Sequence, residues 1–185
     1  MHTFQPLKLP GAFLITFEPI GDNRGYFVET YRKDLYKEHG LVTDWVQENQ
    51  SLSSQKGTVR GLHFQLPPHT ETKLVRVLQG VALDVIVDLR ADSPTYGQYE
   101  AVELSPDNHR MLYIPKGFGH GFCTLTEDMV ISYKVDAFYA SGSASGIIWN
   151  DPDIGIDWPV TDPIMSERDK GLGSFAAFES PFKMP

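Results

Sequence analysis

A single cysteine, Cys123, stands among the 185 residues, so neither an internal disulfide nor a cysteine-built zinc site can form. No run approaches the roughly 18 uninterrupted apolar residues that a membrane-spanning helix needs. The opening segment, Met1-His2-Thr3-Phe4-Gln5-Pro6, has no basic stretch followed by an apolar one, so no secretory leader is expected and a cytoplasmic location is. Positive charge is also scarce. Sixteen Lys and Arg face 24 Asp and Glu, a net charge of −8, and no basic run supplies the cationic stripe of a nucleic-acid binder. An anionic ligand must therefore be held by a few local Arg and Lys residues against the overall field. Repeats and low-complexity tracts are missing as well. The 16 Gly and 13 Pro are scattered rather than gathered in a linker, which favours one domain over residues 1–185.

What is present is mostly period-two patterning. Residues 58–65, 73–79, 81–89, 98–104, 111–114, 121–125 and 129–135 read as short strands separated by turn residues such as Ser93-Pro94 and Ser105-Pro106-Asp107-Asn108. Seven strands at this spacing favour an all-β barrel or sandwich of jelly-roll type. One helix is expected, over 30–39, with Tyr31, Leu35 and Tyr36 near one face and a stop at Gly40. From Asn150 onward, Asp151-Pro152, Trp158-Pro159 and Asp162-Pro163 suggest an ordered extension lying over the barrel. Alternation assigns faces. Met129, Ile131, Tyr133 and Val135 share the better interior face of their strand; Lys73, Val75 and Val77 share another, and Gly61, His63 and Gln65 a third.

Two segments carry the strongest local signal. Pro115-Lys-Gly117-Phe-Gly-His120 matches the second sequence motif of the cupin barrels. Gly57-Thr-Val-Arg-Gly-Leu-His63-Phe-Gln65 resembles the first, but with Gln65 in place of the second histidine and Lys73 near the place of the Glu ligand. A divalent metal needs about three or four converging imidazole or carboxylate ligands, and an ammonium among them would repel it. The metal site therefore reads as dismantled, with His69 and Glu71 as the only nearby residues that could restore one.

Longer stretches sharpen the resemblance. Asp22-Asn-Arg24-Gly-Tyr-Phe27-Val-Glu29, Val46-Gln47-Glu-Asn49-Gln-Ser51, Val59-Arg60-Gly-Leu-His63-Phe-Gln65 and Lys73-Leu-Val-Arg-Val follow in order. So do Asp84-Val-Ile-Val-Asp88-Leu-Arg90, Ser132-Tyr133-Lys134, Trp149-Asn-Asp-Pro-Asp153 and Ser166-Glu-Arg-Asp169-Lys170. Over about residues 4–170 the chain resembles the dTDP-4-dehydrorhamnose 3,5-epimerase family, of RmlC type. The resemblance implies a cupin jelly-roll barrel with a few short helices. It implies inversion of C3 and C5 of a dTDP-linked 4-keto-6-deoxyhexose without metal or cofactor, on the way to cell-surface polysaccharide, and it implies a homodimer.

The same resemblance assigns roles. His63 matches the general base, an imidazole whose ordinary pKa near 6.5 suits proton abstraction beside a ketone. Asp169 is expected to orient it, with Asp84 as the alternative. Lys73 is assigned to the enolate oxygen. Inversion demands a proton from the opposite face, and Tyr133 is the expected acid, its pKa of about 10 brought within reach by a neighbouring cation; Tyr139 competes. Arg24 and Arg60 match diphosphate contacts. Glu29, Gln47, Asn49, Gln65, His120 and Lys170 match other nucleotide or sugar contacts, and Phe27 an aromatic that stacks on the base, in the neighbouring subunit's site. Two departures stand out: Gln47-Glu-Asn49-Gln50-Ser51 replaces the family's Gln-Asp-Asn-His-Ser, and Ala144 stands where a Glu contact is common. Rival readings are an epimerase that inverts only C3 or only C5, a metal-dependent cupin enzyme, and a non-catalytic binder of sugar nucleotides.

Overall fold

Short strands of alternating or wholly apolar character build two sheets that face one another. The computed structural model describes residues 2–185; Met1, the first residue of the segment read for a leader, lies outside them. The elements in chain order are β1 (His2–Pro6), β2 (Phe13–Phe17), β3 (Ile20–Asp22), β4 (Gly25–Phe27), α1 (Lys33–Glu38), β5 (Gln47–Ser53), β6 (Val59–Gln65) and β7 (Lys73–Gln79). They continue with β8 (Ala82–Asp88), β9 (Tyr99–Leu104), β10 (Arg110–Ile114), β11 (Phe118–Thr124), β12 (Met129–Val135), β13 (Ala144–Gly146) and α2 (Glu167–Lys170). One sheet runs β1-β2-β10-β7-β12-β5, the other β13-β6-β11-β8-β9, and β3 and β4 form a separate hairpin. This is the all-β jelly roll that the strand spacing predicts. No helix among the described residues is long and apolar enough to cross a membrane.

The barrel interior takes one face from each sheet. Val75, Val77, Leu112, Ile114, Met129 and Ile131 meet Ala82, Ile86, Leu104, Phe118 and Phe122 there, all buried. Each such side chain contributes roughly 1.5–3 kcal/mol on leaving water. The outer face of the five-stranded sheet is buried too, because Ile147, and Ile154, Trp158 and Phe182 of the C-terminal extension, cover Leu62, Phe64, Val85, Val87 and Cys123. Burial on both faces explains why β8 reads as a nearly continuous apolar run. Its two aspartates survive there only because each is hydrogen-bonded: Asp84 to His120, and Asp88 to Arg90, Ser93 and Thr95. On the far side, Tyr36 of α1 packs with Ile15, Phe17, Leu74 and Met111.

Several local outcomes differ from the sequence reading, and the short strands β1, β3, β4 and β13 form where none was expected. The helix is six residues long and starts at Lys33, because Arg32 is still extended and offers no side-chain cap. It ends as expected before Gly40, whose φ is +70°. β5 is a full strand although Gln47, Glu48, Asn49, Gln50 and Ser51 give it no apolar face. β2 is a strand whose short apolar sequence has no diagnostic period.

Candidate active site

The irregularity that makes the site is a bulge in β6. Across the β6–β11 pair, His63 lies opposite His120 and Arg60 opposite Phe122, so two residues of β6 span one of β11. Strict alternation would put Arg60 and His63 on opposite faces; the extra residue turns both toward the barrel interior. Glycine is required at this place. Gly61 has φ +121°, and a Cβ on it would lie 2.5 Å from Gly121 Cα and 2.7 Å from the His120 carbonyl oxygen.

Facing β6 across the interior are strands of the other sheet. Between them lies a cavity of about 360 Å³ lined by His63, Gln65, Lys73 and Tyr133, with Gln47 and Asn49 of β5, Glu71, Tyr139, Ala144, Ser145 and Arg168. His63 on β6 and Tyr133 on β12 thus come from opposite sheets. Lys73 Nζ stands 5.9 Å from the centre of the Tyr133 ring.

A carboxylate 106 residues away in the chain reaches His63 because its segment is pinned against β6. The Val59 N–H donates to the Ile164 carbonyl at 3.0 Å, and Ser166 then caps α2 by accepting from the Asp169 N–H at 3.1 Å. The third residue of the helix, Asp169, is thereby turned inward, only 4% exposed. Its Oδ1 lies 2.7 Å from His63 Nε2, and its Oδ2 accepts from the Gly61 N–H at 3.2 Å. Burial works to raise the Asp169 pKa, but the bonds from His63 and Gly61 outweigh it and hold the carboxyl below its ordinary range. An ionised carboxylate can only accept, so Nε2 of His63 carries the proton and the Nδ1 lone pair is left free to act as a base. Asp84, the alternative partner, is taken by the buried His120, whose Nε2 lies 3.0 Å from both of its oxygens. His120 is held behind the site by this pair and does not line the cavity.

The Tyr133 phenol departs from expectation. Burial, and then the Glu71 carboxylate, raise its pKa above the usual value, and Arg60 offsets them only in part. Lys73 cannot act on it as a lone cation, because the ammonium is paired with Glu71 Oε1 at 3.2 Å. Raised, the phenol stays protonated, which is the form that can give up a proton.

Gln65 replaces a metal-binding histidine with an amide that organises the rim. The two N–H groups of its Nε2 are shared among the His69 carbonyl and Glu71 Oε2, each at 3.0 Å, and the Phe138 carbonyl at 3.3 Å, while its Oε1 accepts from the Ala140 N–H at 2.7 Å. Gln47 likewise donates to Asn49 and accepts from the Tyr139 N–H. Among the described residues no three His, Cys, Asp or Glu side chains gather as a metal site would require.

A second hollow, lined by Arg60, His63, Arg168 and Asp169, adjoins the first through His63 and Arg168. Among the described residues Arg60 bonds only to Ser53 Oγ and the Leu52 carbonyl, and no carboxylate salt bridge holds either arginine. Two such guanidiniums suit a phosphate group. Lys170, expected to contact ligand, instead points to solvent and pairs with Glu167 at 2.7 Å, one turn back on α2; Arg168 is the cation that α2 presents to the cavity.

Arg24, Phe27 and Glu29 are not brought to this cavity by their own chain. Arg24 clasps Asp22 within the β3–β4 hairpin, and Phe27 beside it is 71% exposed. Glu29 lies near His2 and Arg32 and borders a hollow on the outer face of the six-stranded sheet. Of the cavity residues, Phe64, Ser145 and Arg168 escaped the sequence reading as site groups, and Glu71 entered it only as a possible metal ligand. Glu71 could have been found, since it stands two residues before Lys73; Arg168 follows only from the α2 cap.

Known proteins resemble this chain along most of its length. The family model for dTDP-4-dehydrorhamnose 3,5-epimerase matches residues 6–177. A dTDP-4-dehydrorhamnose 3,5-epimerase of Sinorhizobium fredii is 46% identical over 181 residues, 97% of this chain and 93% of the relative. The crystal structure of the Bacillus anthracis dTDP-4-dehydrorhamnose 3,5-epimerase with TDP and PPi bound superposes with a TM-score of 0.92 at 46% identity, covering 94% of this chain and 99% of that one. The Legionella pneumophila RmlC structure, in complex with dTDP-4-keto-L-rhamnose, gives 0.93 at 36% identity with both chains covered completely. With a cupin-type jelly roll, a histidine–carboxylate pair and a tyrosine on opposite walls, and this likeness along its length, the chain belongs to the dTDP-4-dehydrorhamnose 3,5-epimerase family.

Proposed function

We propose that the protein is a 3,5-epimerase of dTDP-4-dehydro-6-deoxy-D-glucose, yielding dTDP-4-dehydro-L-rhamnose. The observation that carries this reading is the placement of the Asp169-held His63 and the protonated Tyr133 on opposite sheets around one cavity. C3 and C5 of the sugar flank the C4 ketone. At each carbon, His63 Nδ1 takes the proton and the electron pair passes into the ketone as an enolate. The Lys73 ammonium stabilises the oxygen, an effect usually worth about 10²–10³ in rate. Tyr133 then protonates the carbon from the other face, which inverts it. One proton leaves and one arrives, so no redox partner enters the balance. Arg60 and Arg168 hold the diphosphate, and Gln47 and Asn49 offer polar contacts.

We further propose a homodimer in which the β3–β4 hairpin carries Arg24 and Phe27 to the partner's site. Its support is the exposure of Ile20, Tyr26 and Phe27 on a hairpin that, among the described residues, pairs with no other strand. A cytoplasmic location is part of the proposal, consistent with a lone, free, buried cysteine. The test is deuterium uptake from D₂O at C3 and C5 of the dTDP-linked ketosugar, read by NMR alongside product formation. His63→Asn is expected to lose exchange and inversion together, whereas Tyr133→Phe loses inversion more than exchange, because deprotonation needs only the base. Equal loss of both in the two variants refutes this division of labour.

A further inference from the structure

We propose that Glu71 is a positioning residue of this reaction, tethering the Lys73 ammonium to one place on the cavity wall and fixing the balance of charge around Tyr133. The inference rests on the epimerase reading of the site. Glu71 stands two residues before the first residue of β7, and its side chain lines the same cavity as that of Lys73. The Glu71 and Lys73 side chains are 13% and 10% exposed, and their ion pair spans 3.2 Å. Behind the carboxylate, Gln65 donates to Oε2 at 3.0 Å and is itself fixed by the 138–140 segment through its bonds to the Phe138 carbonyl and the Ala140 N–H. Glu71 is therefore clamped on one side and holds the lysine on the other. Without it, the flexible four-carbon stem of Lys73 would carry its charge through many rotamers.

The charge balance follows from what faces the phenol. Glu71 and Lys73 approach Tyr133 from the β7 side, Arg60 and His63 from β6, and Tyr139 from beyond β12; the β5 side chains, Gln47 and Asn49, are neutral. Lys73 and Glu71 cancel as a pair, so the acid meets no net positive charge from that wall. Buried, and beside a carboxylate, Tyr133 is held above the ordinary phenol range. It remains a proton donor across the working pH range.

The experiment uses the full-length protein labelled with ¹³Cζ-tyrosine, with the Tyr133 resonance assigned from Tyr133→Phe. Glu71→Gln keeps the shape and removes the charge. The Tyr133 ionisation midpoint is expected to fall on the order of one pH unit in Glu71→Gln, as for removal of a nearby like charge. Its kcat on the dTDP-linked ketosugar should fall roughly 10- to 100-fold through loss of placement, with KM far less affected. Glu71→Asp retains the charge but is a methylene too short to meet both Gln65 and Lys73. It should titrate like the parent while kcat still falls. An unchanged Tyr133 midpoint in Glu71→Gln overturns the proposal whether or not the protein turns the sugar over. If Glu71→Gln does not fold, a Glu71→Asp variant with undiminished kcat overturns it. Absence of turnover by the unaltered protein, in contrast, strikes the epimerase reading itself.

Discussion

Replacing Asp169 by Asn removes one charge from the centre of the site with almost no change in shape. The carboxylate serves two donors, His63 Nε2 at 2.7 Å and the Gly61 N–H at 3.2 Å. An asparagine has one oxygen and one NH₂, so it can satisfy only one of them. If the NH₂ faces His63, the imidazole must move its proton to Nδ1 and lose the lone pair aimed at substrate. If it faces Gly61, a buried N–H is left without an acceptor, at about 1–3 kcal/mol. In both cases the imidazolium formed during turnover lacks its counter-charge. The expected loss is roughly 10²–10⁴ in kcat, about 2.7–5.5 kcal/mol of barrier. Deuterium uptake at C3 and C5 reads the base directly, and both positions should slow by the same factor. A variant within about threefold of the parent in both uptake rates would show that the pair does not serve the base, since a general base is worth far more.

The same substitution has a pH signature in stability. The folded Asp169 pKa lies below its ordinary value of 3.8, so its contribution is complete above that value and fades as pH falls through the lower folded one. The Tm gap between parent and Asp169→Asn should be constant near neutrality and close below about pH 4.

Two other substitutions separate roles that sequence alone merges. Arg168→Ala should raise KM roughly 10- to 100-fold through loss of a charge-assisted phosphate bond, whereas Lys170→Ala, which loses only its exposed Glu167 partner, should leave KM within about twofold. Comparable KM values in the two variants would return the ligand contact to Lys170. Gly61→Ala forces a Cβ to within 2.5 Å of Gly121 Cα at a φ of +121°. It should cost on the order of 3 kcal/mol, visible as a Tm lower by roughly 6–12 °C. An alanine variant as stable as the parent would mean that the bulge can relax.

Much of the barrel was legible because its strands carry strong period-two or doubly apolar patterns. Lys73–Gln79 and Met129–Val135 form as read, and Tyr133 shares the interior face with Met129 and Ile131. The polar strand β5 was not legible: its inward residues face the cavity rather than the core, so the usual apolar signal is missing where function needs it. His63, Lys73 and Tyr133 could be placed on inward faces one strand at a time, but the meeting of His63 with Asp169 depends on a contact across 106 residues that no local pattern encodes. The pairing of Asp84 with His120 is equally non-local. Electrostatics was the least readable. The effect of Lys73 on Tyr133 could not be judged without knowing that Glu71 had already claimed the ammonium.

The extra residue in β6 has a consequence for how this family can vary. Deleting Leu62 would restore an unbroken ladder between β6 and β11, a simpler strand by any folding criterion. It would also rotate either Arg60 or His63 out of the barrel and into the layer that holds Trp158, separating the guanidinium from the imidazole–carboxylate pair. Change at this strand is thus all-or-none: residues can be exchanged one for another, but the length between the arginine and the histidine cannot drift.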